Sequence, residues 1–229
     1  MIKISLVNPP QDRVVGRSHL ERLFEIHYTP QLTFENEEVE NFIRSTCAKA
    51  DRKGKIDRLA KWLGSYHGLD LDAEKIPNIA LRWIHEKIGY GMFADEPFKK
   101  WQFIGEYAGL LRRRNHFFHN VNDYCFMYPR PLKLQFKAFT IDSEKRGNFT
   151  RFINHSDLPN AEAICVFHGG IFRVVIRACK AIKIGEEITY DYGEYYWQRR
   201  VKLVEENSLK IEGAWLSKVS YPIHDTETP

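Results

Sequence analysis

The sequence has few cysteines, and they are scattered. Only four occur in 229 residues: Cys47, Cys125, Cys165 and Cys179. None forms a C-x-x-C or C-x-C pair, which argues against a structural zinc cluster and against a disulfide-dense secreted scaffold. No run approaches the roughly 18 apolar residues of a membrane-spanning helix, and residues 1–13 lack a signal-peptide core. We therefore expect no metal, no membrane contact and a cytoplasmic location in the producing cell.

A large excess of one charge sign is also missing. Lys and Arg number 34 against 30 Asp and Glu, which leaves a net charge of +4. A dedicated nucleic-acid binder usually carries a basic stripe, so direct DNA binding is not predicted. Hydrophobic residues make up 43% and aromatic residues 14% of the chain, enough for a core, which excludes global disorder.

Residues 1–77 are predicted to be partly helical. Thr33 and the acidic run that follows it suit a helix N-terminus, where carboxylates lie at the positive end of the helix dipole. A second helix is predicted from Lys55 to Tyr66. Its apolar stripe consists of Ile56, Leu59, Ala60 and Leu63.

The same helices are rich in basic residues. A solvated helix face is the favoured interpretation, and a binding surface is the alternative. The residues concerned are Arg44, Lys49, Arg52, Lys53, Lys55, Arg58 and Lys61.

From Ile79 the pattern changes to short β-branched and aromatic runs broken by Gly, Pro and Asn, which predict strands. The first is expected to be half-buried, with Ile79, Leu81 and Trp83 on its inner face. The predicted strands are 79–83, 101–107, 124–128, 137–141 and 171–178. Many short strands without a βαβ rhythm predict a mainly β fold with some α structure, of the α+β class. After Gly193 the chain becomes a charged, helical-looking tail.

Four segments carry residues of chemical interest. They are Gly-Tyr-Gly (89–91), Glu-Tyr-Ala-Gly (106–109), Arg-Phe-Ile-Asn-His-Ser (151–156) and Gly-Glu-Glu-Ile-Thr-Tyr-Asp-Tyr-Gly (185–193). Singly, each has a structural explanation. Glycines make a turn or bulge, and Tyr107 suits a core position. His155 suits a capped loop, and Tyr190 and Tyr192 would share one strand face, as core packing also requires.

In this order and spacing, with Pro159 and Asn160 after the third, the four motifs resemble the SET domain, the fold of S-adenosylmethionine-dependent protein-lysine methyltransferases. The resemblance predicts an N-terminal region at 1–77, a SET domain at 78–193 and a tail at 194–229. It implies short β-sheets with a knot-like C-terminal segment threaded through a loop that the Asn-His-Ser region closes. This threading would bring Asn-His-Ser beside the final Tyr-Asp-Tyr strand. The compact size most resembles bacterial members, such as those of chlamydiae.

The resemblance also implies site residues. The methyl donor would be S-adenosylmethionine, leaving as S-adenosylhomocysteine. Its binding residues would be Gly89, Gly91, Met92, Tyr124, Arg151, Asn154, His155, Tyr192 and Trp197, the last stacking on adenine. The substrate lysine would enter a channel lined by the catalytic residues Tyr107, Tyr190 and Tyr192. Tyr at position 190, where relatives with Phe methylate further, implies mainly a monomethyl product, with a dimethyl product as the alternative.

The implied substrate is a lysine in the tail of a histone or histone-like protein. The alternatives are a non-histone substrate, such as a ribosomal component, and a non-catalytic module that binds peptides or chromatin. An acidic groove would suit a basic tail. Its candidates are Glu186, Glu187, Asp191 and Glu194, which could equally be solvated charges at strand ends.

Two departures from the family pattern affect the site. Asp157 stands where many members have Cys after Asn-His-Ser, and cysteine-rich flanks are absent. The expectation is that residues 194–229, or the partner in a homodimer, complete the channel. As a bacterial effector, the protein would be secreted into a host cell and its nucleus.

Overall fold

The computed structural model describes residues 2–7, 10–114, 121–129, 138–194 and 196–197. Its helices are α1 (Arg17–Phe24), α2 (Glu37–Arg52), α3 (Arg58–Tyr66) and α4 (Gly68–Asp72), with a 3-10 helix at Phe149–Phe152. Its strands are β1 (Ile2–Val7), β2 (Pro10–Val15), β3 (His27–Tyr28), β4 (Thr33–Phe34), β5 (Ile79–His85), β6 (Gly89–Ala94), β7 (Phe103–Glu106), β8 (Gly109–Arg114), β9 (Cys125–Met127), β10 (Ala138–Gly147), β11 (Asn154–His155), β12 (Ala161–His168), β13 (Ile171–Ala178) and β14 (Thr189–Tyr190). Short strands predominate, which confirms the predicted mainly β, α+β class.

The strands form small sheets. Their orders are β2-β1-β5-β6, then β3-β10-β8-β4 with β9 on β10, then β12-β13-β7, and the pair β11-β14. Residues up to Asp191 form one compact unit, and a second begins at Tyr192. None of the described helices is both long and apolar enough to cross a membrane. The predicted helical tail lies almost wholly outside the described residues, since only 194, 196 and 197 belong to both.

The N-terminal region contributes strands that were not predicted. Strand β1 runs parallel to β5, with Ile4 opposite Leu81, and β5 pairs in antiparallel fashion with β6, with Leu81 opposite Met92. All three of these side chains are fully buried. Strands β1 and β2 therefore extend the sheet that carries the Gly-Tyr-Gly motif, and β1 contributes the buried Ile4 to its core.

The sequence pattern predicted a half-buried β5, and this prediction is wrong for the first half of the strand. Ala80 is as buried as Ile79 and Leu81, whereas Trp83 is exposed. The first half of the strand lies between β1 and β6 and is covered on both faces, so alternation fails there.

Helix α2 confirms the acidic N-terminus, but Asn36 caps it. The Asn36 side chain accepts a hydrogen bond from the Val39 N–H at 3.0 Å, and Glu37, Glu38 and Glu40 occupy the first turn. Thr33, the expected start, lies in β4 opposite Leu110. Because Asn36 reaches back to the helix N–H groups, the helix begins at Glu37.

Helix α3 begins later than predicted, since Asp57 is its cap. The Asp57 carboxylate accepts from the Leu59 N–H at 3.3 Å, and Ile56 is buried just before the helix. Leu59 was predicted to lie on the apolar inner stripe, yet it is exposed. The inner face instead uses Ala60, Leu63 and Gly64. Strand β12 comes so close that a Cβ on Gly64 would lie 1.9 Å from the Phe167 carbonyl oxygen.

The other predicted strands are confirmed with shifted ends. Strand β13 has the predicted bounds, whereas β7 and β9 are shorter than 101–107 and 124–128. Strand β10 begins at Ala138 and continues to Gly147, beyond the predicted end at Ile141. The predicted first residue, Lys137, lies outside the described residues.

Substitution of Gly64 by Ala tests the close packing of α3 on β12. Alanine favours an isolated helix by about 1 kcal/mol, but overpacking against a backbone oxygen costs about 1–3 kcal/mol or more. We expect the clash to dominate, lowering the free energy of unfolding by about 2 kcal/mol in urea titrations. Gly16→Ala is the matched control, because nothing lies within 4 Å of its new Cβ. Equal stability of the two variants would contradict this packing.

Candidate functional site

The third and fourth motifs lie side by side. Strand β11 pairs in parallel with β14, which sets Asn154 opposite Thr189 and His155 opposite Tyr190. The Ser156 N–H donates to the Tyr190 carbonyl at 3.3 Å. The expectation that Asn-His-Ser lies beside the final strand is confirmed.

Asn160 lies in the loop that follows β11, and its side chain stabilises this short pairing. Its side-chain Nδ2 donates to the Glu187 carbonyl at 2.8 Å, and its Oδ1 accepts from the Thr189 N–H at 2.9 Å. The Asn160 side chain is buried, so its amide would be costly to leave without these partners. Asn160 thereby holds β14 against β11.

The first motif reaches the same place through Gly91. The Asn154 Nδ2 donates to the Glu187 Oε1 at 2.9 Å. A Cβ on Gly91 would lie 2.7 Å from that oxygen and 3.0 Å from that nitrogen. A larger residue at this position would force these side chains, and the Ile84 side chain at 2.6 Å, to shift. Gly89 has a φ of +80°, a region that also favours glycine.

Glu187 was not assigned to Asn154 from the sequence. It stands 33 positions further along the chain, and the sequence marks it only as one acidic residue of the fourth motif. Its neighbour Ile188 adds a second link, because the Ile188 N–H donates to the Met92 carbonyl at 2.7 Å. The Met92 side chain is fully buried, so this residue joins the first motif to the fourth through its backbone.

His155 lies between two carboxylates. Its Nε2 is 3.1 Å from Asp157 Oδ1, and its Nδ1 is 3.6 Å from Asp191 Oδ1. The first distance is that of a hydrogen bond, whereas the second is an electrostatic contact. Asp157, the residue that departs from the family pattern, thus contacts the motif histidine.

Tyr107, Tyr124 and Arg151 form a connected group. The buried Tyr107 hydroxyl donates to the Tyr124 carbonyl at 2.8 Å, and the Ser143 N–H donates to the same carbonyl at 3.1 Å. The Arg151 guanidinium lies 4.0 Å from the centroid of the Tyr124 ring, and its Nε donates to the Ser143 carbonyl at 2.9 Å. The second and third motifs therefore meet around Ser143.

Phe24 of α1 joins the first and third motifs and was not predicted from the sequence. Its ring centroid lies 5.0 Å from that of Tyr90 and 4.5 Å from that of Phe152. Leu20 and Phe24 stand four apart, a spacing typical of one helix face, so a signal for this helix was present. What the spacing does not reveal is which rings it would meet.

Glu106 places a buried carboxylate in the second motif. Its Oε2 accepts from the Arg173 Nη1 at 3.0 Å. Burial raises the pKa of Glu106 to about 7, and the positive charge of Arg173 acts in the opposite direction. Its carbonyl accepts from Asn148 Nδ2 at 2.9 Å and from Thr150 Oγ1 at 3.2 Å. Glu106 thus ties the second motif to the start of the third.

The remaining predicted site residues divide between the two units. Tyr190 is buried in the first unit, in β14. Tyr192 and Trp197 belong to the second unit, where their rings lie 4.6 Å and 5.0 Å from that of Tyr196.

The four residues proposed for an acidic groove differ in their surroundings. Glu187 and Asp191 contact Asn154 and His155, as described above. Glu186 is exposed and accepts from the Lys183 N–H at 3.0 Å, and Glu194 lies in the second unit. Two of the four carboxylates therefore already contact residues of the third motif.

Within the described part of the chain, no group of three or more His, Cys, Asp or Glu residues could hold a metal ion. The four cysteines are free thiols, and Cys47 is buried.

Comparison with known proteins accounts for the arrangement of the motifs. Residues 89–193 match the family model of the SET domain. The fold is that of a SET domain. The solved structure of ATXR5 in complex with mono-methylated histone H3.1 has a TM-score of 0.53 at 18% identity, over 76% of this chain and 84% of that one. At such identity, this likeness concerns only the fold of this chain.

Two curated proteins that are similar to this chain are named as histone-lysine methyltransferases. The probable histone-lysine N-methyltransferase set-23 of Caenorhabditis briggsae is 36% identical over 113 residues, which are 46% of this chain and 46% of the relative. Histone-lysine N-methyltransferase EZH2 of Chaetomium thermophilum is 30% identical over 132 residues, which are 53% of this chain and 8% of the relative. This chain therefore spans less than half the length of either relative.

The Glu106 pKa predicts a pH-dependent stability. Between its ordinary value of 4.5 and about 7, the folded chain keeps a proton that the unfolded chain has released. The stabilisation from Glu106 is therefore complete below pH 4.5 and is lost as the pH rises through about 7. Glu106→Gln should remove this component from the free energy of unfolding, measured in urea at several pH values from about 5 to 8.

Glu162→Gln is the matched control for Glu106→Gln. The Glu162 carboxylate also accepts from an arginine, Arg177, at 2.9 Å, but at a more exposed position. This substitution leaves the buried Glu106 carboxylate in place, so the loss of stability with rising pH should persist in the control. A Glu106→Gln profile with the unchanged pH slope would show that the buried carboxylate does not titrate in this range.

Proposed function

We propose that this chain is a protein-lysine N-methyltransferase that uses S-adenosylmethionine. The observation that carries the proposal is the parallel pairing of β11 with β14, against which Gly91 packs. It brings three of the four motifs to one place. The names of the curated relatives support the reaction type.

The assembled residues fit S-adenosylmethionine. Gly89 and Gly91 offer a strand edge without side chains, and Asn154 offers an amide beside it. Arg151 is held by the Ser143 carbonyl and the Tyr124 ring, so its charge is fixed in place for the carboxylate of the donor's methionine part. When bound, the donor supplies an electrophilic methyl group on a sulfonium. Tyr124, His155, Tyr192 and Trp197 complete the proposed donor site, with Met92 supporting it from the core.

The chain must also prepare the substrate amine. A free lysine has a pKa of about 10.4, so only ~10⁻³ of it is neutral near pH 7.4, a deficit of about 4 kcal/mol. Burial lowers the pKa of an amine, and a narrow channel between buried tyrosines excludes water. Tyr107 and Tyr190 are buried, and the hydrogen bond to Tyr124 orients the Tyr107 hydroxyl that we assign to the amine. Tyr192 is assigned to align the amine with the methyl group, which offsets the entropy of bringing them together.

The finer assignment is a histone or histone-like tail as the substrate and mainly a monomethyl product. A phenol at Tyr190 leaves less room for added methyl groups than a phenyl ring would. The proposal has three further parts. Residues 194–229 or a second subunit complete the channel. The chain is related to compact bacterial members of the family, and it is delivered to a host nucleus.

Methyl transfer from tritiated S-adenosylmethionine to histones and to bacterial lysate tests the activity. We expect label on lysine, a monomethyl product by mass spectrometry, and a loss of at least about 100-fold in Tyr192→Phe, which lacks the aligning hydroxyl. Transfer only to lysate proteins that are not histone-like would assign a non-histone substrate. Binding of S-adenosylhomocysteine without methyl transfer to any protein would contradict an enzymatic function and favour a non-catalytic binding module.

Removal of the Glu187 carboxylate tests the donor site separately from catalysis. Glu187→Ala frees the Asn154 amide, so we expect about 10-fold weaker binding of S-adenosylhomocysteine by calorimetry, or about 1.4 kcal/mol. Glu186→Ala is the matched control, because that neighbouring carboxylate accepts from the exposed Lys183 N–H. Equal affinity of the two variants for S-adenosylhomocysteine would show that Glu187 does not support the donor site.

A further inference from the structure

Helix α3 carries an exposed apolar stripe that the proposed function does not use. Leu59, Trp62 and Tyr66 are 57%, 59% and 56% exposed, and their spacing of three and four places them on one helix face. Leu69 of α4 follows three residues later and is 86% exposed. We call these four residues the α3 stripe.

The α3 stripe is an ordered surface. The Trp62 and Tyr66 rings stack with centroids 5.4 Å apart and an interplanar angle of 20°. On the opposite face of the helix, Gly64 fixes α3 against the Phe167 carbonyl of β12. Single exposed apolar side chains are ordinary on protein surfaces, whereas a continuous group of them indicates an interaction site. A rigid platform also lowers the entropy cost of binding.

A basic turn lies at the start of the α3 stripe. Residues 52–58 contain four cations and the single carboxylate of Asp57. In the described part of the chain, the cations of this turn make no ion pair, whereas the neighbouring Lys61 pairs with Asp51. Arg58 also stands four residues before Trp62, on the same side of the helix. The basic residues for which the sequence left two interpretations thus adjoin an apolar surface.

We propose that the α3 stripe docks an amphipathic helix of a partner protein. The apolar ridge of that helix lies on Trp62 and Tyr66, and its acidic residues face Arg58 and the basic turn. From Leu59 to Tyr66 the surface extends for about 10 Å, which matches about two turns of a partner helix with apolar residues at i, i+3, i+4 and i+7. The chemistry of the partner is therefore an acidic, amphipathic helix.

A second copy of this chain fits the surface less well. The carboxylates at the far end of the stripe, Asp70 and Asp72, already pair with Lys75 and His168. A two-fold pairing of two α3 stripes would therefore bring to the basic turn two carboxylates that already have partners. Single-stranded nucleic acid is also disfavoured, because the two ring faces stack on each other and Leu59 and Leu69 flank them.

A displayed library of helical peptides tests the proposal. The peptides carry apolar residues at i, i+3, i+4 and i+7, with the other positions randomised among Glu, Lys and Gln. Selection on the full chain should enrich Glu, and the enriched peptides are then synthesised and measured by fluorescence anisotropy. Affinity should fall at least 10-fold in Trp62→Ser and in Leu69→Ser, and Arg58→Glu should reverse the preference from Glu to Lys.

Leu158→Ser is the matched control, since Leu158 is 84% exposed at another place on the surface. It should leave the affinity for the selected peptides unchanged, and each variant should bind S-adenosylhomocysteine as the unsubstituted chain does. No enrichment, enrichment of Lys, or equal binding by Leu69→Ser and Leu158→Ser would overturn the proposal. Self-association lost in Leu69→Ser, or binding of a 20-nucleotide single strand lost in Trp62→Ser, would overturn it in favour of those occupants.

Discussion

The arrangement of the site depends on one short strand pairing. Strands β11 and β14 share only two residues each, and so short a pair is not stable alone in water. The buried Asn160 amide stabilises it by bonding to the backbone at Glu187 and Thr189, and Ile188 bonds to Met92 of β6. Because the Asn160 side chain is buried, its amide would be costly to leave without its two backbone partners. The short pairing therefore holds together segments some thirty residues apart.

Close backbone approach is the second constraint, and it explains why the N-terminal region matters. A side chain at Gly91 would displace the Asn154 and Glu187 side chains from their present positions beside β6. The sheet that carries Gly91 is extended by β1, and Phe24 of α1 packs between Tyr90 and Phe152. The first 28 residues thus supply both a strand and a ring contact that support the motif cluster, although none of their own residues belongs to a motif.

Much of the local structure was predictable because its causes are local. The acidic first turn of α2, the strand at 171–178 and the glycine positions follow from dipole, side-chain shape and allowed φ values within a few residues. The predictions were wrong where contact with a segment distant in sequence determines the structure. Leu59 has the spacing of an inner residue, but β12 packs against Gly64 and turns Leu59 outwards. Likewise, the first half of β5 lacks the predicted alternation because both of its faces are covered there.

The sequence by itself determined the mainly β class and, through the order and spacing of four motifs, the SET-domain fold. It also placed Asn154 and His155 beside the final strand. Only the tertiary structure decided which partners these residues meet: Glu187 for Asn154, Asp157 and Asp191 for His155, and Phe24 for the two motif aromatics. The physical reason is that periodicity and turn chemistry report which way a side chain faces. Which group that side chain contacts depends on how distant segments of the folded chain pack together.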